Sequence, residues 1–455
     1  MDDDQKNAVD LAVSGKSFFL TGAGGTGKSY VIRSIVEALH RSGRDVYVTA
    51  MTGCAALLLG KRAKTLHSWA GIGLGKESVD VLASKIKKSF KAKKNWMSAD
   101  TLIIDEVSMM TSALLDKLDL IGRSVRKMKT MPFGGLQIIL VGDLYQLPPV
   151  NKGEDYSFVF ESDFWKQHIS DIIILNTIHR QSDPVLLKVL QEARIGKLSQ
   201  ESIDVLETRR NTEWKKLEIK PTLLFTRRAD VEEINMAQLK KCDGPDVQFK
   251  AKTVYSPTAA FSVKPSEQEM QWAVEKMDKN GSYVVDLTLR VGSQVMLLTN
   301  KDVEHGLVNG SRGIVERFCE GPEPYPMVKF RNGEVIIIEP SSWGSEDIDG
   351  LNRMQIPLRL AYAVTIHKAQ GATLDCALID IGDNTFEYGQ AYVALSRVKS
   401  LESLYIWDLK PTAFTVHPKV QAFFQTISDQ INPRSADCTD DTASVSDEPL
   451  TPVVA

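Results

Sequence analysis

The octet Gly22-Ala23-Gly24-Gly25-Thr26-Gly27-Lys28-Ser29 constrains this chain more than any other stretch. It fits the P-loop pattern of Gly, four residues, then Gly-Lys-Ser. The apolar run Phe18-Phe19-Leu20 precedes it and a helical pattern, Tyr30 to Leu39, follows. A strand thus feeds a glycine-rich turn that feeds a helix. Backbone N–H groups close around phosphate oxygens only where no side chain blocks the approach, and three of the octet's glycines leave that approach open. The helix N-terminus adds partial positive charge. Lys28 suits the β- and γ-phosphates, and the Ser29 hydroxyl suits a place on Mg²⁺.

The surrounding pattern predicts the fold class. Residues 17 to 175 alternate strand and helix signals, with strands expected at Ser17–Thr21, Val46–Ala50, Leu102–Asp105, Gln137–Val141 and Ile172–Leu175, and a helix over Ser112–Lys129. This is the layout of a parallel sheet covered on both faces. A second alternating region starts near Pro221, with a strand over Thr222–Thr226 and a helix over Ala229–Leu239. It resumes with strands at Arg359–Ala363 and Cys376–Asp380 and a helix over Gly389–Arg397. From Gln294 to Glu339 the reading changes to short strands parted by turns such as Asn309-Gly310 and Asn332-Gly333, which suggests a small inserted β-barrel. The Lys-rich stretch 71–99 lacks a strand signal and reads as a small helical insertion in the first unit.

Composition bounds the class. Apolar content of 43% and charged content of 25% are ordinary for a globular protein, and no apolar run approaches a membrane span. The start, Met1-Asp2-Asp3-Asp4, matches neither a secretory signal nor a transit peptide. The five cysteines are far apart with no Cys-x-x-Cys pair, so a reducing compartment is expected and a disulfide framework or zinc site is not. The net charge of −3 hides an uneven division. From Asp429 onward six acidic residues face one basic residue, Arg434, which gives the tail −5 and leaves +2 for residues 1–428. That tail, 429–455, lacks aromatics and is expected to be disordered. Two basic runs stand out: Lys85, Lys87, Lys88, Lys91, Lys93 and Lys94, then Arg123, Arg126, Lys127 and Lys129. Each fits a nucleic-acid surface or a solvated helix face.

Further motifs carry chemistry. Leu102-Ile103-Ile104-Asp105-Glu106 is an apolar strand ending in two carboxylates. Nucleotide hydrolysis needs one carboxylate for Mg²⁺, which suits Asp105, and one to orient the attacking water, which suits Glu106. In Val141-Gly142-Asp143-Leu144-Tyr145-Gln146-Leu147-Pro148-Pro149, Gln146 stands past a strand end, where it can contact a γ-phosphate. Arg180, in His179-Arg180-Gln181, and Arg397, in Ala394-Leu395-Ser396-Arg397, are candidates for stabilising transition-state charge. The stretch Ala363 to Leu374 gathers small residues, hydroxyls and Lys368, suited to phosphate contacts along a nucleic-acid backbone. Thr52-Gly53 and Thr65-Leu66-His67-Ser68 suit the same work in the first unit, and Trp69 and Phe90 are candidates to stack on bases.

Together these residues resemble the Pif-one family of superfamily 1B DNA helicases, from about Gln5 to Leu409. Gly22–Ser29 is similar to helicase motif I, Thr49–Ala56 and Thr65–Ser68 to motifs Ia and Ib, and Leu102–Met109 to motif II. Gly142–Val150 is similar to motif III, Leu175–Gln181 to motif IV, His367–Thr373 to motif V and Tyr392–Lys399 to motif VI. Asp116 to Ile139, with Arg126-Lys127 and Pro132-Phe133-Gly134-Gly135-Leu136-Gln137, resembles the family signature, and Leu307–Gly313 resembles its inserted SH3-like barrel. Where the family has Gly-Gly-Thr-Thr before Leu-His, this chain has the more basic Gly60-Lys61-Arg62-Ala63-Lys64-Thr65.

The resemblance implies an α/β fold of two RecA-like P-loop NTPase domains, with a helical insertion in the first and an SH3-like β-barrel in the second. Its expected bounds are 1–177 for the first domain (insertion 71–99), 178–293 and 350–428 for the second, and 294–349 for the barrel. It assigns Gln5 to adenine, Gly22, Gly24, Gly25, Thr26, Gly27, Lys28 and Ser29 to phosphate and Mg²⁺, and Asp105 and Glu106 to metal and water. Gln146, Arg180 and Arg397 fall to the γ-phosphate, and Thr52, Gly53, His67, His367, Lys368 and Thr373 to DNA. The implied activity is ATP-dependent 5′–3′ translocation on single-stranded DNA, unwinding duplexes, RNA–DNA hybrids or G-quadruplexes in replication, repair, recombination or telomere maintenance. The cofactors are ATP and Mg²⁺, and the partners are single-stranded, forked or structured DNA. An intracellular monomer is expected, nuclear or mitochondrial in a eukaryote, without a membrane. The 71–99 insertion suits a wedge at the fork. The alternatives are an RNA helicase and a nucleotide-switched binding protein that does not translocate.

Overall fold

A computed structural model describes residues 1–60, 63–149, 157–256, 265–302, 304–321, 323–345 and 347–431. Lys61 and Arg62 of the basic insertion, Val150 at the end of the motif III stretch, and the expected acidic tail from 432 onward lie outside the described residues.

The apolar runs of the first part become strands of one parallel sheet. These are β1 (Phe18–Gly22), β2 (Val46–Ala50), the two-residue edge strand β3 (Lys64–Thr65), β4 (Thr101–Asp105), β5 (Gln137–Gly142) and β6 (Asp171–Leu175). Their order is β3-β2-β4-β5-β1-β6. Every residue of β1, β4 and β5 is buried, because helices cover both faces of such a sheet and leave no polar side to alternate. Two of those helices are α1 (Asp3–Val13) and α2 (Lys28–Arg41). Along α2, Val31, Ile32, Ile35 and Leu39 recur at helical spacing and pack with Phe18, Leu20, Ile103, Ile139 and Val141.

The helices α3 (Gly53–Leu59), α4 (Leu66–Ala70), α5 (Val79–Lys88) and α6 (Phe90–Ser98) precede β4, and α5 and α6 lie in the 71–99 insertion. Trp69 does not offer a face for base stacking. It is 1% exposed, with its ring centroid 4.9 Å from that of Trp96 and 5.9 Å from that of Tyr47. Phe90, the other stacking candidate, is 74% exposed. The helix expected over Ser112–Lys129 is α7 (Ser112–Val125), and it stops early because Lys127 turns to a left-handed φ of 60°. The helix α8 (Asp163–His168) precedes β6.

After α9 (Pro184–Arg194) and α10 (Gln200–Thr208), β7 (Thr222–Phe225) starts a second parallel sheet and α11 (Arg228–Leu239) follows it. An antiparallel region then intervenes. It comprises β8 (Val247–Lys250), β9 (Lys252–Tyr255), α12 (Glu267–Asn280), β10 (Asp286–Leu289), β11 (Gln294–Leu297), β12 (Arg312–Phe318), β13 (Pro326–Phe330), β14 (Val335–Ile337), β15 (Ser341–Gly344), β16 (Leu351–Gln355) and β17 (Leu358–Leu360). Its sheets are β14-β13-β12-β11-β17, β15-β16-β9 and β10-β8. This region overruns the expected 294–349. Leu287 and Leu289 from before it, and Ile356 and Leu358 from after it, share one apolar core with Val295, Leu297, Val328 and Phe330.

The chain returns through β18 (Ala363–Thr365), α13 (Ile366–Ala369), β19 (Ala377–Ile381), α14 (Gln390–Leu395) and β20 (Leu404–Leu409), giving the parallel order β18-β7-β19-β20. The strand expected over Arg359–Ala363 is therefore two strands in two sheets: β17 is antiparallel to β11, and β18 is parallel to β7. The crossing is held at Ala361-Tyr362, where Ala361 N–H donates to Gln294 O and the Tyr362 hydroxyl accepts from Gln294 N–H. Residues Met1–Val416 form one compact unit, and α15 (Pro418–Ile431) belongs to a second.

Candidate nucleotide and nucleic-acid site

The octet lies between β1 and α2, as the strand–turn–helix pattern requires. Gly25 has φ +94°, and a Cβ there would come within 2.7 Å of the Arg180 Cβ, so only glycine fits. The approach is fixed by backbone: His179 N–H and Arg180 N–H both donate to Gly25 O, at 2.8 and 3.2 Å. Lys28 is half-buried, and its Nζ donates to Gly22 O at 2.7 Å and Ala23 O at 3.0 Å. Burial lowers its pKa, against the carboxylates of Asp143, Glu106 and Asp105. Gln5 is buried on α1, and its Nε2 lies 3.5 Å from Thr26 O and 3.3 Å from His179 Nε2.

The two carboxylates stand at the end of β4. Asp105 is buried, and its Oδ1 accepts Glu106 N–H at 2.8 Å. Burial and the Glu106 charge push the Asp105 carboxyl up to about 7. Glu106 adopts φ 57°, ψ 42°, a left-handed conformation that costs a non-glycine residue about 1–2 kcal/mol and tends to be kept where geometry matters for function. Its Oε2 accepts from Gln370 Nε2 at 3.1 Å, and the same Nε2 lies 3.4 Å from Gln146 Oε1. Ser29 and Asp105 offer a hydroxyl and a carboxylate, hard oxygen donors of the kind Mg²⁺ prefers, and Mg²⁺ needs no more than one or two carboxylates.

Neither candidate arginine faces bulk water. Arg180 Nη1 donates to Ser396 O at 3.4 Å, and burial lowers its pKa. Arg397 is 1% exposed. Its guanidinium donates to Val393 O, Ala369 O, Ala372 O and Ser396 Oγ, so it ties α14 to α13 and the turn beyond it. Burial first, and Arg180 second, pull its pKa down to about 10. Three cations, the half-buried Lys28 and Arg180 and the buried Arg397, thus converge with two carboxylates at one cleft, which favours a polyanion bound with a divalent cation.

The candidate DNA residues occupy three turns past strand ends. The Thr52 hydroxyl accepts Ala55 N–H at the start of α3, Thr65 accepts Ser68 N–H at α4, and Thr365 accepts Lys368 N–H at α13. Gly53 opens α3, and His67 and His367 are the second residues of α4 and α13. Burial lowers the pKa of both histidines. Lys368 is exposed, and Thr373 is half-buried beside Gly310. A cavity opens among α3, the antiparallel sheet and the Thr365–Leu374 segment, lined by Leu58, Asn309, Arg359, Lys368, Gln370 and Leu374.

Comparison with known proteins agrees with this architecture. The family described as PIF1-like helicase matches residues 1–209, and the Pif1 2B domain matches residues 275–318. A Danio rerio protein described as ATP-dependent DNA helicase PIF1 is 38% identical over 427 residues, 93% of this chain and 63% of that protein. The crystal structure of Pif1 helicase from Candida albicans superposes with a TM-score of 0.76 at 35% identity, over 94% of this chain and 99% of that one. This chain belongs to the PIF1-like helicase family. The structure of Pif1 helicase from Bacteroides in complex with ADP-AlF3 and ssDNA matches with a TM-score of 0.65 at 27% identity, over 95% and 97% of the two chains. The two parallel sheets are the RecA-like domains of the PIF1-like fold. The chain spans under two thirds of the length of the Danio rerio relative. Among the described residues no helix is long and apolar enough to cross a membrane.

The PIF1-like signature over Asp116–Ile139 is structural in this chain. Asp119 accepts Phe133 N–H and Arg123, Asp116 accepts the N–H groups of Asp163 and Phe164, and Arg126 donates to Gly134 O, Trp96 O and Ala99 O. Arg126 is thus spent on carbonyls and is not part of a solvated basic face. The sequence reading missed Gln370, Tyr392, Asp143 and Arg194. Gln370, Tyr392 and Asp143 lay inside quoted motifs, but nothing in their spacing pointed across the cleft.

Proposed function

We propose that this chain is an ATP-dependent DNA helicase that moves 5′–3′ on single-stranded DNA. The observation that carries this reading is the convergence of Lys28, Asp105 and Glu106 from the first RecA-like domain with Arg180, Gln370 and Arg397 from beyond β6. Lys28 holds the triphosphate, and Arg180 and Arg397 neutralise charge that develops at the γ-phosphate. Glu106, kept in its left-handed conformation and oriented by Gln370, aligns and deprotonates the attacking water. Ser29 and Asp105 would hold Mg²⁺, which would supply charge neutralisation at the phosphates. Gln5 reads the base beside the P-loop.

Translocation follows from the cleft. The attraction between the arginines and the triphosphate closes it, and hydrolysis removes that attraction. Thr52, Gly53 and His67 grip DNA in the first domain, and His367, Lys368 and Thr373 grip it in the second. Alternating closure then advances the strand. The antiparallel region is the SH3-like 2B domain, and the 71–99 insertion, which presents Leu74 and Phe90 to solvent, is the wedge at the fork. Single-stranded DNA is the track, as the ssDNA complex of the Bacteroides relative suggests.

The test is an unwinding assay on duplexes with a 5′ or a 3′ single-stranded tail, in DNA and RNA, alongside RNA–DNA hybrids and G-quadruplexes. Unwinding from the 5′ tail with DNA-stimulated ATPase is the expected result. ATPase that single strands do not stimulate would refute the motor.

A further inference from the structure

Tyr392 does work that the nucleotide reading does not use. It is 2% exposed on α14, and its hydroxyl accepts Gly24 N–H of the P-loop at 2.8 Å while donating to Asp143 Oδ2 at 3.0 Å. Asp143 follows β5 in the first domain and is fully buried. Arg194, the last residue of α9, grips it with Nε at 3.1 Å and Nη2 at 2.9 Å from Oδ1, and its guanidinium lies 4.4 Å above the Tyr145 ring. Gly389, just before α14, has φ +70°, and a Cβ there would sit 2.4 Å from Tyr145 O. Glycine at 389 thus lets the start of α14 pack against the Tyr145–Gln146 backbone.

The chemistry of this chain is one-directional. Burial would raise the Asp143 pKa, but Arg194 and then Lys28 hold it below the usual carboxylate range. Burial pushes the Tyr392 phenol up, so it keeps its proton. The hydroxyl must then donate to the carboxylate, which leaves a lone pair for Gly24 N–H. The buried carboxylate is matched by a guanidinium and a hydroxyl, and the series polarises each member in turn.

From this geometry we infer that Tyr392, oriented by Asp143 and Arg194, is a positioning residue that fixes the Gly24 segment of the P-loop to the second RecA-like domain, with or without bound nucleotide. This rests on the nucleotide-hydrolysis reading and deepens it. Arg180 and Arg397 respond to phosphate charge. The Tyr392 hydroxyl is neutral and sets where the P-loop amides point, so its loss costs alignment and leaves affinity nearly intact.

Tyr392→Phe removes one oxygen and keeps the ring. In DNA-stimulated ATPase it should lower kcat about tenfold with KM for ATP within about twofold. Arg194→Lys should do the same, and the double variant should be no worse than the worse single, because both break one chain of bonds. Amide exchange of a peptide spanning residues 22–27, measured without nucleotide, should speed up in Tyr392→Phe. If Arg194→Lys fails to fold, Asp143→Asn takes its place in the cycle. Unchanged kcat and unchanged exchange in Tyr392→Phe, or effects that multiply in the double variant, would overturn the proposal. If the parent itself shows no ATPase, the hydrolysis reading falls, and exchange alone decides the Tyr392 contact.

Discussion

The two RecA-like domains share a plan but differ in the turn that follows the first strand of each. In the first, five residues, Ala23 to Gly27, join β1 to α2, and Gly25 and Gly27 take positive φ. In the second, β7 passes to α11 through only Thr226 and Arg227. A five-residue turn rich in glycine can aim several N–H groups inward at an anion, and a two-residue turn cannot. The second domain lacks a phosphate cradle at that position. What reaches the cleft from beyond β6 is instead Arg180, Gln370, Tyr392 and Arg397. Duplication of a sheet does not duplicate a site. In the proposed function one copy holds the ligand, and the other reads it.

Five measurements can break or sharpen this contrast. Lys28→Ala should reduce ATP hydrolysis to background and weaken binding of a fluorescent nucleotide, since holding belongs to the first domain. Arg180→Ala should lower kcat by ~10³-fold or more, the usual worth of an arginine finger, while ADP affinity stays near wild type. Equal losses of ADP affinity in both variants would erase the division. Glu106→Gln should bind nucleotide normally and hydrolyse it ~10²–10⁴-fold more slowly in single-turnover assays.

The smaller effects compare the two threonine-capped turns, Thr65-Leu66-His67-Ser68 and Thr365-Ile366-His367-Lys368. Lys368 has Ser68 as its counterpart, so only the second turn carries a cation. Lys368→Ala should flatten the salt dependence of single-stranded DNA binding by ~0.7 in log–log slope, and Ser68→Ala should not change it. Burial holds the folded pKa of both His67 and His367 below the ordinary value of 6.5. The unfolded chain therefore binds more protons as pH falls through 6.5, and stability falls with it. His67→Gln and His367→Gln should each reduce the drop in melting temperature between pH 7.5 and about 5.5.

Local chemistry made much of the site legible. Gly22–Ser29 and Asp105-Glu106 were readable because phosphate and metal binding demand contiguous residue types at a strand end. The parallel strands were readable because double-sided burial leaves unbroken apolar runs, as in β1, β4 and β5. The run Arg359–Ala363 looked like one strand for the same reason, since hydrophobicity does not mark where a chain changes sheets. Arg126 looked like part of a basic surface, yet its charge is enclosed by carbonyls from Trp96, Ala99 and Gly134.

The sequence by itself determined the phosphate loop, the carboxylate pair and the repeated α/β plan, because each is written in residues that neighbour one another along the chain. Tertiary structure decided that Tyr392 meets Gly24 and Asp143, that Gln370 meets Glu106, and that Arg397 turns inward to Ala369 and Ala372. Those partners lie far apart in the chain. The first two pairings are set by how the two domains pack and the third by how α14 packs on α13, and no local spacing encodes them.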